Sequence, residues 1–249
     1  MLKSIADQDV RELGGPLSVL ARQKSDHIEL DALLRDLEGT RGAEQGRVLL
    51  RIYRLVFPHA FAEESVLWPL MRSLLPDGQD LTLQVEREHQ EVNELVTALE
   101  GMPLDDPARD PLLSALTDVL REDVRDEEDE LLPRLQARLS PRRLRAAGLA
   151  WEIVRRTAPT RAHPVVARRP PGNVIAALPL AAIDRVRDIV DGALLRDGSP
   201  RGAGLRRLSH ALTVLSHRVE QLPIMRRGED PSTATNAATP VAQARVVAG

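Results

Sequence analysis

The chain contains no cysteine. That absence excludes disulfides, thiolate zinc sites, iron–sulfur clusters and cysteine nucleophiles together, so any metal must be held by imidazole and carboxylate. Aromatic residues make up only 2% of the sequence and β-branched runs are few, which argues against a β-sandwich or doubly wound sheet. Lysine occurs only at Lys3 and Lys24. Nearly every cation is therefore arginine, a bias that fits a high-GC coding sequence better than an anion site. No stretch approaches the roughly 20 apolar residues that span a bilayer. Met1–Val10, with Asp7 and Asp9, lacks the apolar run of a secretory signal. The net charge of −3 supplies no field for nucleic acid or an anionic membrane. The expectations are a cytoplasmic protein with no membrane and no nucleic-acid partner.

What is present is helix-forming material: 249 residues, 43% hydrophobic, dominated by Leu, Ala, Arg and Glu. Four long helical patterns fill the first 140 residues. They run from about Pro16 to Gly39, from Glu44 to Leu75, from Leu81 to Glu100, and from beyond Asp105-Asp106-Pro107 to about Leu139. Short connections make neighbours antiparallel, so the expected fold is an all-α, up-down four-helix bundle over residues 1–140. An additional helix is expected over 141–157, a Pro-rich strap over 158–175 and a helical hairpin over 176–224. A disordered tail is expected over 225–249. In the last helix Leu205, Leu208, Leu212, Leu215, Val219 and Leu222 form one apolar seam. That seam must cover either the bundle or another chain, and a homodimer through the C-terminal helices is one expectation.

Read as stripes, the four bundle helices share an anomaly. The seams are Leu20, His27, Leu30, Leu34, Leu37; then Leu49, Ile52, Val56, His59, Glu63, Val66, Leu70; then Val85, His89, Val92, Val96; then Leu116, Leu120, Asp123, Glu127, Leu131. Each is apolar except at one place, where His, Asp or Glu intrudes. His59 and Glu63 are four apart, as are Asp123 and Glu127. That spacing is about 40° of rotation and 6 Å of rise, so both members of a pair face one point. Buried singly, such groups are costly; gathered round a cation they become ligands. The second and fourth helices also repeat one another without gaps, His59 to Pro69 on Asp123 to Pro133, sharing Glu63-Glu64 and Glu127-Glu128. Such a repeat suits a pseudo-twofold, dinuclear site.

These residues resemble the hemerythrin-like family, the HHE cation-binding domains. The resemblance covers roughly Leu17 to Leu139. It rests on Asp26-His27, His59 with Glu63-Glu64 and Pro69, Glu88-His89, and Glu127-Glu128 with Pro133. It implies two non-haem irons, joined by bridging carboxylates and an oxo or hydroxo species, in a four-helix bundle. His27, His59, Glu63, His89 and Glu127 match the family's ligand pattern. The implied roles are terminal imidazoles at His27, His59 and His89, with bridging carboxylates at Glu63 and Glu127. Asp123 departs from it, since the family usually has His there. It either ligates directly or acts through water, and three carboxylates with three imidazoles favour ferric over ferrous iron. The implied ligand is dioxygen, peroxide or nitric oxide, with catalase-like or oxidase turnover left open. The alternative is a metal-stabilised interaction protein, or zinc or manganese in the same ligands, without redox turnover.

Other residues draw plainer readings. Glu64 and Glu128 lie about 100° from the seam, as groups behind the ligands or on the surface. Tyr53, Phe57, Phe61 and Trp68 read as packing, and Pro58 as a kink beside His59. His210 and His217 read as structural, His163 as without a role, and Arg142, Arg143, Arg145, Arg155, Arg156, Arg168 and Arg169 as solvated.

Overall fold

A computed structural model describes residues 2–169, 172–196 and 202–233. Among them every regular element is helical. Helix α1 (Val19–Glu38) begins later than Pro16. Gly14 and Gly15 turn the chain at φ of 91° and 98°, and Ser18 caps the helix by accepting from the Leu20 N–H. The second rod of the bundle is α2 (Gly42–Ala62), a π-helical turn at Glu63–Leu67, and α3 (Trp68–Leu74). The third is α4 (Gly78–Glu100), and the fourth is α5 (Arg109–Asp126), a π-turn at Glu127–Leu131, and α6 (Leu132–Gln136). This is the up-down four-helix bundle.

The two π-turns have one cause. Pro69 and Pro133 lack an N–H, and a proline ring crowds the carbonyl four residues back. The preceding residue reaches one further instead: the Trp68 N–H donates to the Glu63 carbonyl, and the Leu132 N–H to that of Glu127. The widened turn sits under each Glu-Glu pair. It carries Glu64, read from the sequence as off the seam, into the interior at 2% exposure.

The bundle core is two apolar clusters. One is built from Leu30, Leu34, Phe57, Val92, Leu120 and neighbours; the other from Leu20, Leu67, Trp68, Val85, Leu131 and neighbours. Between Leu20 and Leu30, Phe57 and Leu67, Val85 and Val92, and Leu120 and Leu131 lies the polar layer.

Helix α7 (Pro141–Thr157), capped by Ser140, packs on α1 and α2. Its approach is close, because a Cβ on Gly148 would lie 2.2 Å from the Leu17 carbonyl oxygen. Trp151 from α7 is fully buried among Leu20, Trp68 and Leu144. The strap then runs over the bundle as far as 169. Helix α8 (Gly172–Leu194) starts four residues before the hairpin expected from 176 and continues through Pro179, so the strap is shorter than the 158–175 read from the sequence. Helix α9 (Gly202–Glu220) pairs with α8. Its seam is divided: Leu205, Leu212 and Val219 are half-buried, while Leu208, Leu215 and Leu222 are exposed. The start of the expected tail is tied down. Met225 is buried, its carbonyl accepts from the Ala167 N–H at 2.9 Å, and that of Arg227 accepts from the Gly172 N–H at 3.0 Å. The rest of that tail, from residue 234, lies outside the described residues.

Candidate metal centre

Helices α1, α2, α4 and α5 bring the intruding residues into one layer. Atoms of His27, His59 and Glu127 lie within 4.8 Å of one another, and so do atoms of Glu63, His89 and Glu127. Glu127 is common to both groups. His27 Nε2 lies 3.2 Å from Glu127 Oε2, His59 Nε2 3.2 Å from Glu63 Oε1, and His89 Nε2 3.7 Å from Glu63 Oε2. Asp123 belongs to neither group but borders the layer, with Oδ1 3.8 Å from His89 Nε2. Glu63 and Glu127 are 0% and 1% exposed.

Each imidazole is held from behind. His27 Nδ1 is 2.9 Å from Glu128 Oε1, His59 Nδ1 3.1 Å from Asp26 Oδ2, and His89 Nδ1 2.9 Å from Glu64 Oε1. An ionised carboxylate only accepts, so each Nδ1–H donates and each Nε2 turns into the layer. Glu64 and Glu128 thus stand behind the histidines, crosswise between helices. Gln23, which the sequence reading passed over, donates to Glu63 Oε1 at 2.7 Å and is itself fully buried. Its only sequence signal is its place one turn before His27.

Several inner atoms are left without hydrogen-bond partners. His27 Nε2, Glu63 Oε2, Asp123 Oδ1 and Glu127 Oε1 are buried and accept or donate no hydrogen bond. Electrostatics reflect the crowding. Burial works against charge on His27, yet the neighbouring carboxylates of Glu127 and Glu128 push its pKa up to about 9; His89, buried beside Glu64 and Asp123, rises to about 10. Burial raises Asp123 well above the carboxylate range, and the Glu127 charge adds to that. Burial and the charge of Glu63 likewise raise Glu127. With Asp26, Glu64 and Glu128 behind the layer, three imidazoles face six carboxylates.

A cavity opens beside His27, His59, His89 and Asp123, rimmed by apolar Leu30, Phe57, Val92 and Leu120. It admits a water-sized sphere over about 20 Å³, room for one small molecule.

The sequence profile of the hemerythrin HHE cation-binding domain matches residues 18–135. The chain carries a hemerythrin HHE domain. Cation binding is what that domain is named for, and the two ligand groups above lie inside it. Among curated proteins, an uncharacterized hemerythrin-like protein of Schizosaccharomyces pombe is 28% identical over 134 residues, 53% of this chain and 66% of that one. A protein named DNA nickase from a Nostoc species is 26% identical over 118 residues, 47% of this chain and 33% of that one. The chain thus spans just under two thirds of the first relative and a third of the second. No solved structure gives a significant match. Among the described residues no helix is long and apolar enough to cross a membrane.

Outside the hemerythrin domain several sequence readings need correcting. His163 is buried, with Nε2 3.0 Å from Asp184 Oδ2 and Nδ1 3.3 Å from Glu220 Oε1. Arg168 is buried rather than solvated, and Arg169 pairs with the fully buried Glu86 at 2.6 Å. His210 and His217 are exposed on α9, so neither is a core residue. Inside the domain, Tyr53 is packed in the core against Phe57, as read from the sequence, and lines a different cavity with Arg109 and Arg187.

Proposed function

We propose that the hemerythrin domain holds two non-haem iron ions and binds or reacts with dioxygen, peroxide or nitric oxide. One observation carries this reading: four buried ligand-type atoms, His27 Nε2, Glu63 Oε2, Asp123 Oδ1 and Glu127 Oε1, lack hydrogen-bond partners, while the opposite nitrogen of every histidine is fixed by a carboxylate. The donor set, imidazole nitrogen and carboxylate oxygen without sulfur, suits iron. In this reading His27, His59 and His89 would hold the ions through nitrogen, Glu63 and Glu127 would be shared between them, and Asp123 would ligate or lie just outside. An iron pair supplies redox and dioxygen chemistry that no side chain here can provide.

The chain's own residues do the rest. Gln23 holds Glu63 in position. Asp26, Glu64 and Glu128 fix tautomer and ring orientation. The apolar rim of Leu30, Phe57, Val92 and Leu120 keeps bulk water from a small ligand at the cavity. Metal analysis with absorption spectra before and after peroxide tests the proposal. Two irons per chain with near-ultraviolet bands that peroxide perturbs are expected. Zinc or manganese without such bands favours a structural metal and an interaction role.

Exposed apolar residues favour a homodimer as the state in which this site works: Ile175, Leu178, Val186 and Ile189 share one face of α8, and Leu208 and Leu215 are exposed on α9. Light scattering should give twice the chain mass, falling to one chain in a Leu178→Arg, Ile189→Arg variant with iron retained; a monomeric parent dismisses the dimer.

A further inference from the structure

The carboxylates behind the histidines are not alike. Glu64 Oε1, the oxygen that receives the His89 Nδ1 proton, also faces Arg168 Nη1 at 3.6 Å. Asp26 Oδ2, which receives the His59 proton, faces Arg155 Nη1 at the same 3.6 Å. Glu128, behind His27, has no arginine or lysine nitrogen within 4 Å among the described residues. Both arginines come from outside residues 18–135 matched to the hemerythrin domain. Arg155 projects from α7, where its guanidinium lies 5.2 Å from the centre of the Trp151 ring that in turn meets His59 edge-on at 5.4 Å. Arg168 projects from the strap, donates to Gln90 Oε1 at 2.5 Å, and has its backbone N–H on Glu229.

We infer that the segment following the hemerythrin domain tunes the proposed iron pair electrostatically, through Arg168 acting on Glu64–His89 and Arg155 acting on Asp26–His59. The inference rests on the di-iron reading. A carboxylate that draws on the Nδ1–H gives its imidazole partial imidazolate character and makes Nε2 a stronger donor. A guanidinium on the same oxygen competes for that electron density and adds a positive charge in a region of low dielectric. Both effects favour the less charged, reduced metal. Arg168, with 9% of its side chain exposed, should act more strongly than Arg155 at 28%. These are positioning residues, because neither reaches the ligand layer itself.

The test uses the full-length, iron-loaded protein, with iron content and midpoint potential measured in parent, Arg168→Gln, Arg168→Lys, Arg155→Gln and Arg155→Lys. Loss of charge at 168 should shift the preference for oxidised iron about tenfold, a fall of about 59 mV for one electron. At 155 the shift should be roughly threefold in the same direction, and both lysine variants should recover most of the parent value. A potential that stays put or rises in both glutamine variants, with iron content unchanged, overturns the inference and leaves the di-iron reading standing. If the parent itself retains no iron, the di-iron reading fails first, and the two failures are distinct. Should Arg168→Gln not fold, Arg168→Lys and the Arg155 pair decide the matter: Arg155→Gln must lower the potential and Arg155→Lys restore it.

Discussion

Two buried polar clusters among the described residues combine histidine with carboxylates, and they differ in where their positive charge comes from. In the layer of the hemerythrin domain, His27, His59 and His89 face Glu63, Glu127 and Asp123, with no guanidinium among them. Under the strap, His163 meets Asp184 and Glu220, and next to it Arg161 bonds Glu100, Asp188 and Asp191 at 2.7, 2.8 and 2.9 Å. The strap cluster carries its own cations. Asp184 Oδ2 also accepts from the Thr160 and Arg161 N–H groups, so that oxygen is fully used. Both clusters leave some buried atoms without hydrogen-bond partners, His163 Nδ1, Asp184 Oδ1 and Glu220 Oε1 in the strap among them, but the bundle layer has no guanidinium to supply positive charge. Among the described residues, only its members form groups with metal-ligand spacing. A buried histidine beside carboxylates is therefore no metal site by itself; the question is whether an arginine already sits in the middle.

The largest expected effect is at Glu127, the residue shared by both ligand groups. Glu127→Ala should cost both proposed ions, lowering iron affinity by more than the ~10–100-fold typical of residues behind the ligands. Metal analysis after dialysis reads it directly. Full iron retention would break the comparison at its strongest point. In the strap cluster the corresponding change is Arg161→Met, which takes a guanidinium from buried Asp188 and half-buried Glu100 and Asp191, leaves them Arg54 and Arg187, and should cost about 1–3 kcal/mol. Denaturant unfolding should record that loss in both metal-free and iron-loaded protein, because this cluster does not depend on the ions.

A pH titration separates the clusters further. Burial opposes charge on His163, but Asp184, by charge and hydrogen bond, and Glu220 outweigh it and push the pKa up to about 9. A folded-state pKa above the unfolded value near 6.5 means that the stabilisation is complete below about pH 6.5 and lost as pH rises through about 9. The loss is at most about 3 kcal/mol. Unfolding midpoints at pH 6 and pH 9.5 should differ in the parent, and the difference should shrink in His163→Gln. An unchanged slope would mean that His163 is not held protonated by this pair.

The contrast also explains what the sequence disclosed. The bundle layer was legible because regular helices convert spacing into direction: His59 with Glu63 and Asp123 with Glu127, four apart, had to share a face. The strap cluster was not, because 158–169 has no period and its partners lie far along the chain, Asp184 on α8 and Glu220 on α9. Arg155 and Arg168 were misread for the same reason, since nothing local distinguishes a solvated arginine from one folded back onto Asp26 or Glu64. Glu64 marks a third limit. An ideal helical wheel places it off the seam, and the π-turn imposed by Pro69 brings it inward. The Pro69 and Pro133 repeat was visible; its effect on rotation was not.

The smallest expected effect addresses the one position where the bundle layer departs from the hemerythrin pattern. Asp123 sits at the edge of the layer, with Oδ1 buried, unbonded and 3.8 Å from His89 Nε2, yet outside both ligand groups. If it ligates, Asp123→His replaces an anionic oxygen by a neutral nitrogen at the same helical position. The ferrous state then gains relative to the ferric one, and the midpoint potential should rise with iron content unchanged. The opposite sign is expected from Arg168→Gln, which leaves a negative charge uncompensated near the same histidine. Measuring the two variants side by side uses His89 as a common reporter, approached from the ligand side by Asp123 and from behind by Glu64. An Asp123→His potential equal to that of the parent would place Asp123 outside the coordination sphere, as a wall of the cavity rather than a ligand.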